Sequence, residues 1–182
     1  SINYHNFNWI SAAKELGGAN VISITKQHIH NWYNQKYRYM SFVWDGEIIA
    51  KRLLNLIYNF DFYSNASTKE EKKIFNKIIQ QHYWSLFIFL KLDRKFLHRS
   101  IEILKSMLLI EQINNFSSKK TIAWIKQHIF IQVNQNGMHK SMNPCTQAEY
   151  LNNLYEIKSI FLFFKLELPS EINEHILNMT SV

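Results

Sequence analysis

The segment 136–144 brings together side chains suited to binding an anion. It carries His139 and Lys140, and it ends with Asn143 directly before Pro144. Asn followed by Pro is a typical helix start, because Asn caps the first N–H groups and Pro fits the first helical position. The N–H groups and the positive dipole end at such a start attract a carboxylate or a sulfate. The segment is therefore a candidate anion-binding site, although the same spacing equally allows His139 and its polar neighbours to satisfy the loop backbone instead.

No other part of the sequence offers a complete catalytic set or a metal site. His28 and His30 lie two residues apart, so their imidazoles cannot share one face of a helix. The four glycines never take the spacing of a phosphate-binding loop. Cys145 is the single cysteine, which excludes an intrachain disulfide and cysteine-based zinc motifs, and we interpret it as a small buried helix residue. The sequence therefore predicts neither a metal nor a cofactor.

Aromatic residues make up 15% of the chain, enough to offer stacking surfaces for bases or sugar rings as well as a core. The stacking candidates are Trp32, Trp44, Tyr83, Trp84 and Trp124. An aromatic stripe at helical spacing is more often part of a core than of a binding site. Trp84 and Trp124 are predicted on that ground to be core residues.

Composition and charge narrow the class of protein. Of 182 residues, 47% are apolar, whereas only four are Gly and two are Pro, which argues against a turn-rich β fold. The net charge of +7 suits nucleic acid, an anionic membrane surface or an acidic polymer, but a Lys-, Ile- and Asn-rich composition throughout the chain is the simpler explanation. The basic residues are dispersed and no recognition-helix motif is present, so nucleic acid is not a predicted partner. No apolar run reaches the roughly 18–20 residues of a membrane span.

The elements that must position these residues are helices. Apolar residues recur at helical spacing along nearly the whole chain, which predicts an all-α fold of about eight helices in antiparallel hairpins. The first two are expected at 7–16 and 21–35, separated by a pair of glycines. Later helices are expected to start at Asp45, at a capping box of Ser67 with Glu70, at Asp93, at Ser117 or Ser118, at Asn143 and at Pro169.

The segment 136–144 resembles the D-G-G-H-x-x-R-x-P stretch in the N-terminal helical domain of heparinase II/III-like proteins. The opening, 4–9, is similar to the start of that family's first helix. Trp44, followed by Arg52 eight residues later, is similar to the family's W-D/R-P-x(5)-R-[IL] stretch, and 96–110 matches the apolar helix before the loop. The order and spacing of these motifs hold over nearly the whole chain.

The resemblance implies an incomplete α/α toroid forming a single helical domain, 1–182, with the family's C-terminal β-sandwich absent from this chain. It implies a polysaccharide lyase that cleaves uronic-acid polymers, such as glycosaminoglycans, by β-elimination, with an acidic polysaccharide and the chain's own β-domain as partners. The residues implied to bind substrate are Trp44, Arg52, His139, Lys140 and Asn143. The family is often periplasmic, whereas members without a signal peptide point to the cytoplasm.

Several positions depart from the family's catalytic pattern. Thr146 stands where the classical lyases have the acid/base Tyr, and Gln147 where they have a His. Lys95 lies near the position of their carboxylate-neutralising Asn, Met142 replaces the loop Arg and Met138 the second Gly. We therefore predict no catalytic residue in this chain and expect it to be inactive alone. The alternative is a non-catalytic helical domain that binds an acidic glycan or a protein.

Overall fold

The computed structural model describes residues 2–37, 41–65, 67–93 and 95–181, which are helical nearly throughout. These residues form ten α-helices and no β-strand, which confirms the all-α prediction. The α-helices are α1 Ile2–His5, α2 Trp9–Leu16, α3 Ala19–Asn34, α4 Gly46–Tyr58, α5 Phe60–Ser64, α6 Lys69–Leu92, α7 Glu102–Ile113, α8 Lys119–Gln132, α9 Pro144–Phe163 and α10 Ser170–Thr180. Two 3-10 helices span Phe42–Trp44 and Phe96–His98. The helices fall into two compact units, Ser1–Leu92 and Asp93–Val182.

The first unit is built around α4. This helix packs along α6 and also contacts α1, α2, α5 and the 3-10 helix Phe42–Trp44. Ile49, Leu53 and Leu56 of α4 are buried, and Phe75 and Ile78 of α6 are buried with them. Each such side chain contributes roughly 1.5–3 kcal/mol when it leaves water. The central position of α4 explains why even a charged residue on it is fully enclosed.

The second unit is built around α7, which contacts α8 and α9, while α10 packs on both α8 and α9. Nine consecutive residues of α7, 103–111, are buried, so α7 is covered around its whole circumference. Among them, Lys105 donates from Nζ to Asn153 Oδ1 at 2.7 Å and pairs with Glu156 Oε2 at 2.6 Å, both on α9. A buried ammonium needs such partners to offset its desolvation.

The helix starts predicted at Asp45 and Asn143 are confirmed. The Asp45 side chain accepts from Glu47 N at 3.0 Å, and α9 begins at Pro144 directly after Asn143. The capping box predicted for Ser67 and Glu70 is displaced by one residue. It is Thr68 Oγ1 that accepts from the backbone N of Glu71, while the Glu71 carboxylate accepts from Thr68 N.

Two further predictions were wrong in detail. Asp93 does not start a long α-helix: its carboxylate accepts from Lys95 N at 2.9 Å and from Arg99 Nε at 2.7 Å. These bonds close a turn around the 3-10 helix Phe96–His98, and α7 begins only at Glu102, whose N donates to Ser100 Oγ.

The short helix α5 is not expected from the sequence, because the pattern of apolar residues runs on through Asn59 without a break.

Two burial predictions were also wrong. Trp84 is 51% exposed, although it lies on an otherwise apolar stretch of α6. Cys145 is exposed at the start of α9, where the first helical turn faces solvent. Among the residues that the structure describes, no helix is both long enough and apolar enough to cross a membrane.

Candidate functional site

The loop between α8 and α9, the predicted site, is held in one tight conformation. Backbone bonds run from Asn134 N to Met138 O and from Lys140 N to Gln132 O, both at 2.8 Å. Gly137 turns the chain at φ +83°, and a Cβ there would lie 2.5 Å from the carbonyl oxygen of Asn178 in α10. Glycine is therefore required by both the backbone conformation and the close approach of α10.

The side chain of Gln147 in α9 holds this loop in place through hydrogen bonds to its backbone. Its Oε1 accepts from His139 N at 2.6 Å, and its Nε2 donates to Gly137 O at 3.1 Å and to Met179 O at 3.4 Å. One side chain thus joins α9, the loop and the end of α10. The resemblance marks this position only as a departure from the family pattern, whereas the structure shows that Gln147 determines where the loop lies.

The start of α9 is capped by its own side chains. Asn143 Oδ1 accepts from Cys145 N at 2.9 Å and from Thr146 N at 3.4 Å. Ser141 N donates to His139 Nδ1 at 3.2 Å. Of the two alternatives for this segment, the structure therefore shows local satisfaction of the backbone by Asn143 and His139. An anion at these N–H groups would have to displace the Asn143 side chain.

A polar cavity of about 250 Å³ lies beside this loop, within the second unit. His139 of the loop and Thr146 of α9 line it, and so do Arg99, His128 and Tyr150. The segment singled out by its sequence therefore contributes one wall of a cavity whose other walls come from residues 98–101 and from α8. This cavity is the candidate functional site.

Tyr150 and His128 form a hydrogen-bonded pair in the cavity wall. His128 Nε2 lies 2.8 Å from the carbonyl oxygen of Arg99, which can only accept, so Nε2 carries the ring proton. His128 Nδ1, 2.8 Å from Tyr150 Oη, therefore accepts the phenolic proton. Burial lowers the pKa of His128 and raises that of Tyr150, so both side chains are neutral at neutral pH.

His139, which lines the cavity, carries its ring proton on Nε2. Its Nδ1 accepts from Ser141 N and lies 2.9 Å from Ser141 Oγ. The proton of the neutral ring must then be on Nε2. Partial burial lowers the pKa of His139, which favours this neutral form. The ring also packs against Tyr150, with the ring centroids 5.1 Å apart.

Charged groups of both signs surround the cavity. Arg99 lines it and forms an ion pair from Nε to Asp93 Oδ2 at 2.7 Å. His98 and Glu149 line it as well, and both are exposed at its rim. The His139 imidazole and the Arg99 guanidinium are the hydrogen-bond donors suited to an anionic ligand, because the ring proton of His128 already bonds Arg99 O. Glu149 is a carboxylate that such a ligand must avoid or pair with through a cation.

The other residues that the resemblance implies as substrate-binding do not line this cavity. Lys140 is exposed beside the cavity-lining His139. Trp44 and Arg52 belong to the first unit, where Trp44 is 9% exposed and Arg52 is fully buried. Lys95, noted as a departure from the family pattern, is exposed just before the 3-10 helix Phe96–His98.

The Arg52 guanidinium supports the core of the first unit. It donates from Nη1 to His5 O at 2.6 Å and from Nη2 to Val43 O at 3.1 Å. Its Cζ lies 4.1 Å from the ring centre of Trp32 and 5.4 Å from that of Trp44. Burial lowers the pKa of Arg52 to about 9, so it still carries its charge at neutral pH. In this structure the charge acts through the protein interior and does not reach solvent.

Sequence reasoning missed most of the residues that line the cavity, among them His98, Arg99, His128, Glu149 and Tyr150. One signal was present, because His128 lies directly before Ile129 and three residues after Ile125 on the buried side of α8. A histidine on an apolar helix face must find a polar partner, and here that partner is Tyr150.

Among the described residues, no three His, Cys, Asp or Glu side chains come close enough to hold a metal ion. Comparison of the chain with protein-family models, with curated proteins and with solved structures gave no match.

Proposed function

We propose that this chain binds a uronic-acid-containing polysaccharide, as the N-terminal helical part of a heparinase II/III-like polysaccharide lyase with an α/α-toroid architecture. One observation carries the proposal. The loop that resembles the family's signature forms a wall of a polar cavity, where His139 and Thr146 meet Arg99, His128 and Tyr150. The segment selected for its chemistry thus lies at a concave site in the described structure.

The donors of this cavity suit a carboxylate. Neutral His139 carries its proton on Nε2, and Arg99 adds the positive charge of a guanidinium whose Nε is paired with Asp93. The net charge of +7 adds long-range attraction for a polyanion. These contacts recognise charge and hydrogen-bond geometry, so they favour a uronate over a neutral sugar.

In the proposed reaction, a base removes the proton α to the uronate carboxylate, and the C–H electron pair moves onto the carboxylate as an enolate. The pair then forms a C=C bond while the C–O bond to the next sugar breaks, and the leaving oxygen takes up a proton. Donors to the carboxylate stabilise the enolate. Thr146 cannot provide the acid/base group at neutral pH, so this step needs groups supplied by the family's C-terminal β-domain.

A non-catalytic glycan-binding domain is the second candidate. It is favoured by the cavity wall itself, where Thr146 is not acidic and the phenol of Tyr150 is bound to His128. The cavity would then hold an acidic glycan without cleaving it.

The test combines binding with product detection. The chain would be run through native gels containing hyaluronan, heparan sulfate, chondroitin sulfate or alginate, at low and high salt, and the same mixtures followed by far-ultraviolet absorbance of the new C=C bond. We expect salt-sensitive retardation by at least one polymer, reduced severalfold by His139→Gln. The matched control is His175→Gln on α10.

Both candidates predict binding, and the chain is expected to be inactive alone under either one. New absorbance would contradict that expectation and support a lyase, whereas binding without absorbance agrees with both candidates, which then differ in whether a longer form carrying the β-domain yields absorbance. Absence of retardation in every gel, or equal retardation of His139→Gln and the unchanged chain, would contradict a polysaccharide site at this cavity.

A further inference from the structure

A second cavity, of about 470 Å³, lies in the first unit at the end of α3. It is lined by the last residues of α3 and those just after it, together with Trp44 and Gln81. The lining residues are Trp32, Tyr33, Asn34, Lys36, Tyr37, Trp44 and Gln81. Small-molecule sites typically have roughly 300–1,000 Å³, aromatic walls and a few polar groups. The cavity has these properties, and its size suits one sugar ring with parts of its neighbours.

The aromatic walls are held rigidly. Trp44 Nε1 donates to Tyr37 O at 3.1 Å, and Trp32 Nε1 donates to His5 Nδ1 at 3.1 Å. The ring centre of Trp32 lies 5.4 Å from that of Tyr37 and 6.0 Å from that of Trp44. A site whose side chains are already fixed loses little entropy when a ligand binds.

A positive charge lies directly behind these walls. The Arg52 guanidinium packs against Trp32 and Trp44, and its described acceptors are neutral: His82 Nε2, His5 O and Val43 O. Among the residues that the structure describes, no carboxylate pairs with it. Because the surroundings are of low dielectric, this charge is only weakly screened toward the cavity.

The rim adds a second cation. Lys36 and Asn34 both line the cavity, and both are exposed. No acidic side chain is among the described residues that line the cavity. Apolar ring walls suit the C–H face of a pyranose, amides suit its hydroxyls, and two cations suit a carboxylate on that ring.

We propose that the first unit carries its own binding site for one uronate residue of an acidic glycan, between Tyr33, Tyr37 and Lys36. The choice of a glycan as ligand rests on the proposed function, whereas the site itself is formed by residues of the first unit and shares none with the second-unit cavity. The sugar ring packs against the tyrosines, and its carboxylate pairs with Lys36 in the field of Arg52. The two units then bind separate residues of one polymer class.

The test titrates the chain with a hyaluronan tetrasaccharide, following tryptophan fluorescence and binding heat, with neutral chitotetraose as the control ligand. We expect two sites for the acidic ligand in the unchanged chain. Lys36→Met, which removes the rim charge, and Tyr33→Ala, which removes a wall, should each weaken one site about tenfold or more. The matched control is Lys14→Met, since Lys14 is an exposed lysine of α2 outside the cavity.

His139→Gln separates this inference from the proposed function. If His139→Gln removes one site and Lys36→Met leaves the other unchanged, the first-unit site is wrong while the proposed function stands. If only Lys36→Met and Tyr33→Ala weaken binding, the first-unit site stands and the second-unit cavity is not the glycan site. Equal binding of chitotetraose, or no binding of either ligand, would overturn the uronate site. Unchanged circular dichroism and thermal unfolding of Lys36→Met, an exposed substitution, keep the test independent of folding.

Discussion

The Nε of Arg52 donates to the Nε2 of His82 at 2.7 Å inside the first unit, where both side chains are fully buried. His82 Nδ1 lies 2.7 Å from the carbonyl oxygen of Ile78, so Nδ1 carries the proton and Nε2 accepts. Burial and the charge of Arg52 lower the pKa of His82 to about 3, which keeps the imidazole neutral. A buried cation is thus accommodated by a neutral histidine and two carbonyl groups.

Replacing Arg52 should destabilise the chain strongly. Arg52→Met keeps much of the volume but leaves His82 Nε2 and the carbonyl groups of His5 and Val43 without this donor. We expect a loss of about 3 kcal/mol in the free energy of unfolding, measured by urea denaturation. Arg52→Lys should also lose stability, because one ammonium cannot reproduce the planar fork. Equal stability of Arg52→Met and the unchanged chain would show that this network is not needed for folding.

Gly137 should tolerate no side chain. Gly137→Ala places a Cβ 2.5 Å from a backbone oxygen of α10 at a positive φ, whereas Gly18→Ala shares the positive φ but has nothing within 4 Å. We expect Gly18→Ala to cost about 1 kcal/mol from strain alone. Gly137→Ala should cost more, by at least about 1 kcal/mol, because α10 must shift. Thermal unfolding of the two variants side by side measures the difference, and equal losses would contradict the close approach.

Some of this architecture could be predicted because its causes are local. Asp45 and Asn143 start helices through bonds to N–H groups two residues later, which a short sequence pattern shows. Asp93 carries the same signal, yet its carboxylate also bonds Arg99, and that pairing closes a turn instead of starting a helix. No local pattern distinguishes the two outcomes.

The candidate site shows the same limit. His139 was predicted because it lies in a distinctive loop, whereas His128 and Tyr150 come from two helices and meet only when α8 and α9 pack in the second unit. The resemblance implies that Arg52 binds substrate, whereas the structure buries it fully. Its burial follows from the central position of α4, which depends on the packing of the whole first unit.

Tyr150→Phe should test the hydrogen bond in the cavity wall. The substitution keeps the ring packed on His128 and His139 but leaves His128 Nδ1 without its donor. We expect a loss of about 1–2 kcal/mol in the free energy of unfolding. The comparison is Tyr155→Phe on α9, since Tyr155 is 42% exposed and should cost much less. If both variants unfold at the same urea concentration as the unchanged chain, water replaces the lost donor and the pair has no structural role.

The buried carboxyl of Glu111 should make the free energy of unfolding decrease as pH rises. Its side chain is 5% exposed, Oε1 accepts from Thr121 Oγ1 at 2.9 Å, and Oε2 has no described partner. Burial raises its pKa from 4.5 to about 7. Below pH 4.5 both states hold the proton. Between pH 4.5 and 7 only the folded state does, so its stability decreases with pH, and above 7 the loss is complete at about 3 kcal/mol.

Buried histidines oppose this trend, because their lowered pKa values make stability rise with pH up to about 6.5. The measurement is therefore the difference between the unchanged chain and Glu111→Gln in urea denaturation from pH 4 to 8. For each protein we take the free energy of unfolding at pH 4 minus that at pH 8. This difference should be about 3 kcal/mol smaller for Glu111→Gln than for the unchanged chain, because only the unchanged chain gains stability from the protonated Glu111. Glu174→Gln, an exposed change on α10, should follow the unchanged chain. Parallel curves for all three proteins would mean that Glu111 ionises as easily in the folded chain as in the unfolded one.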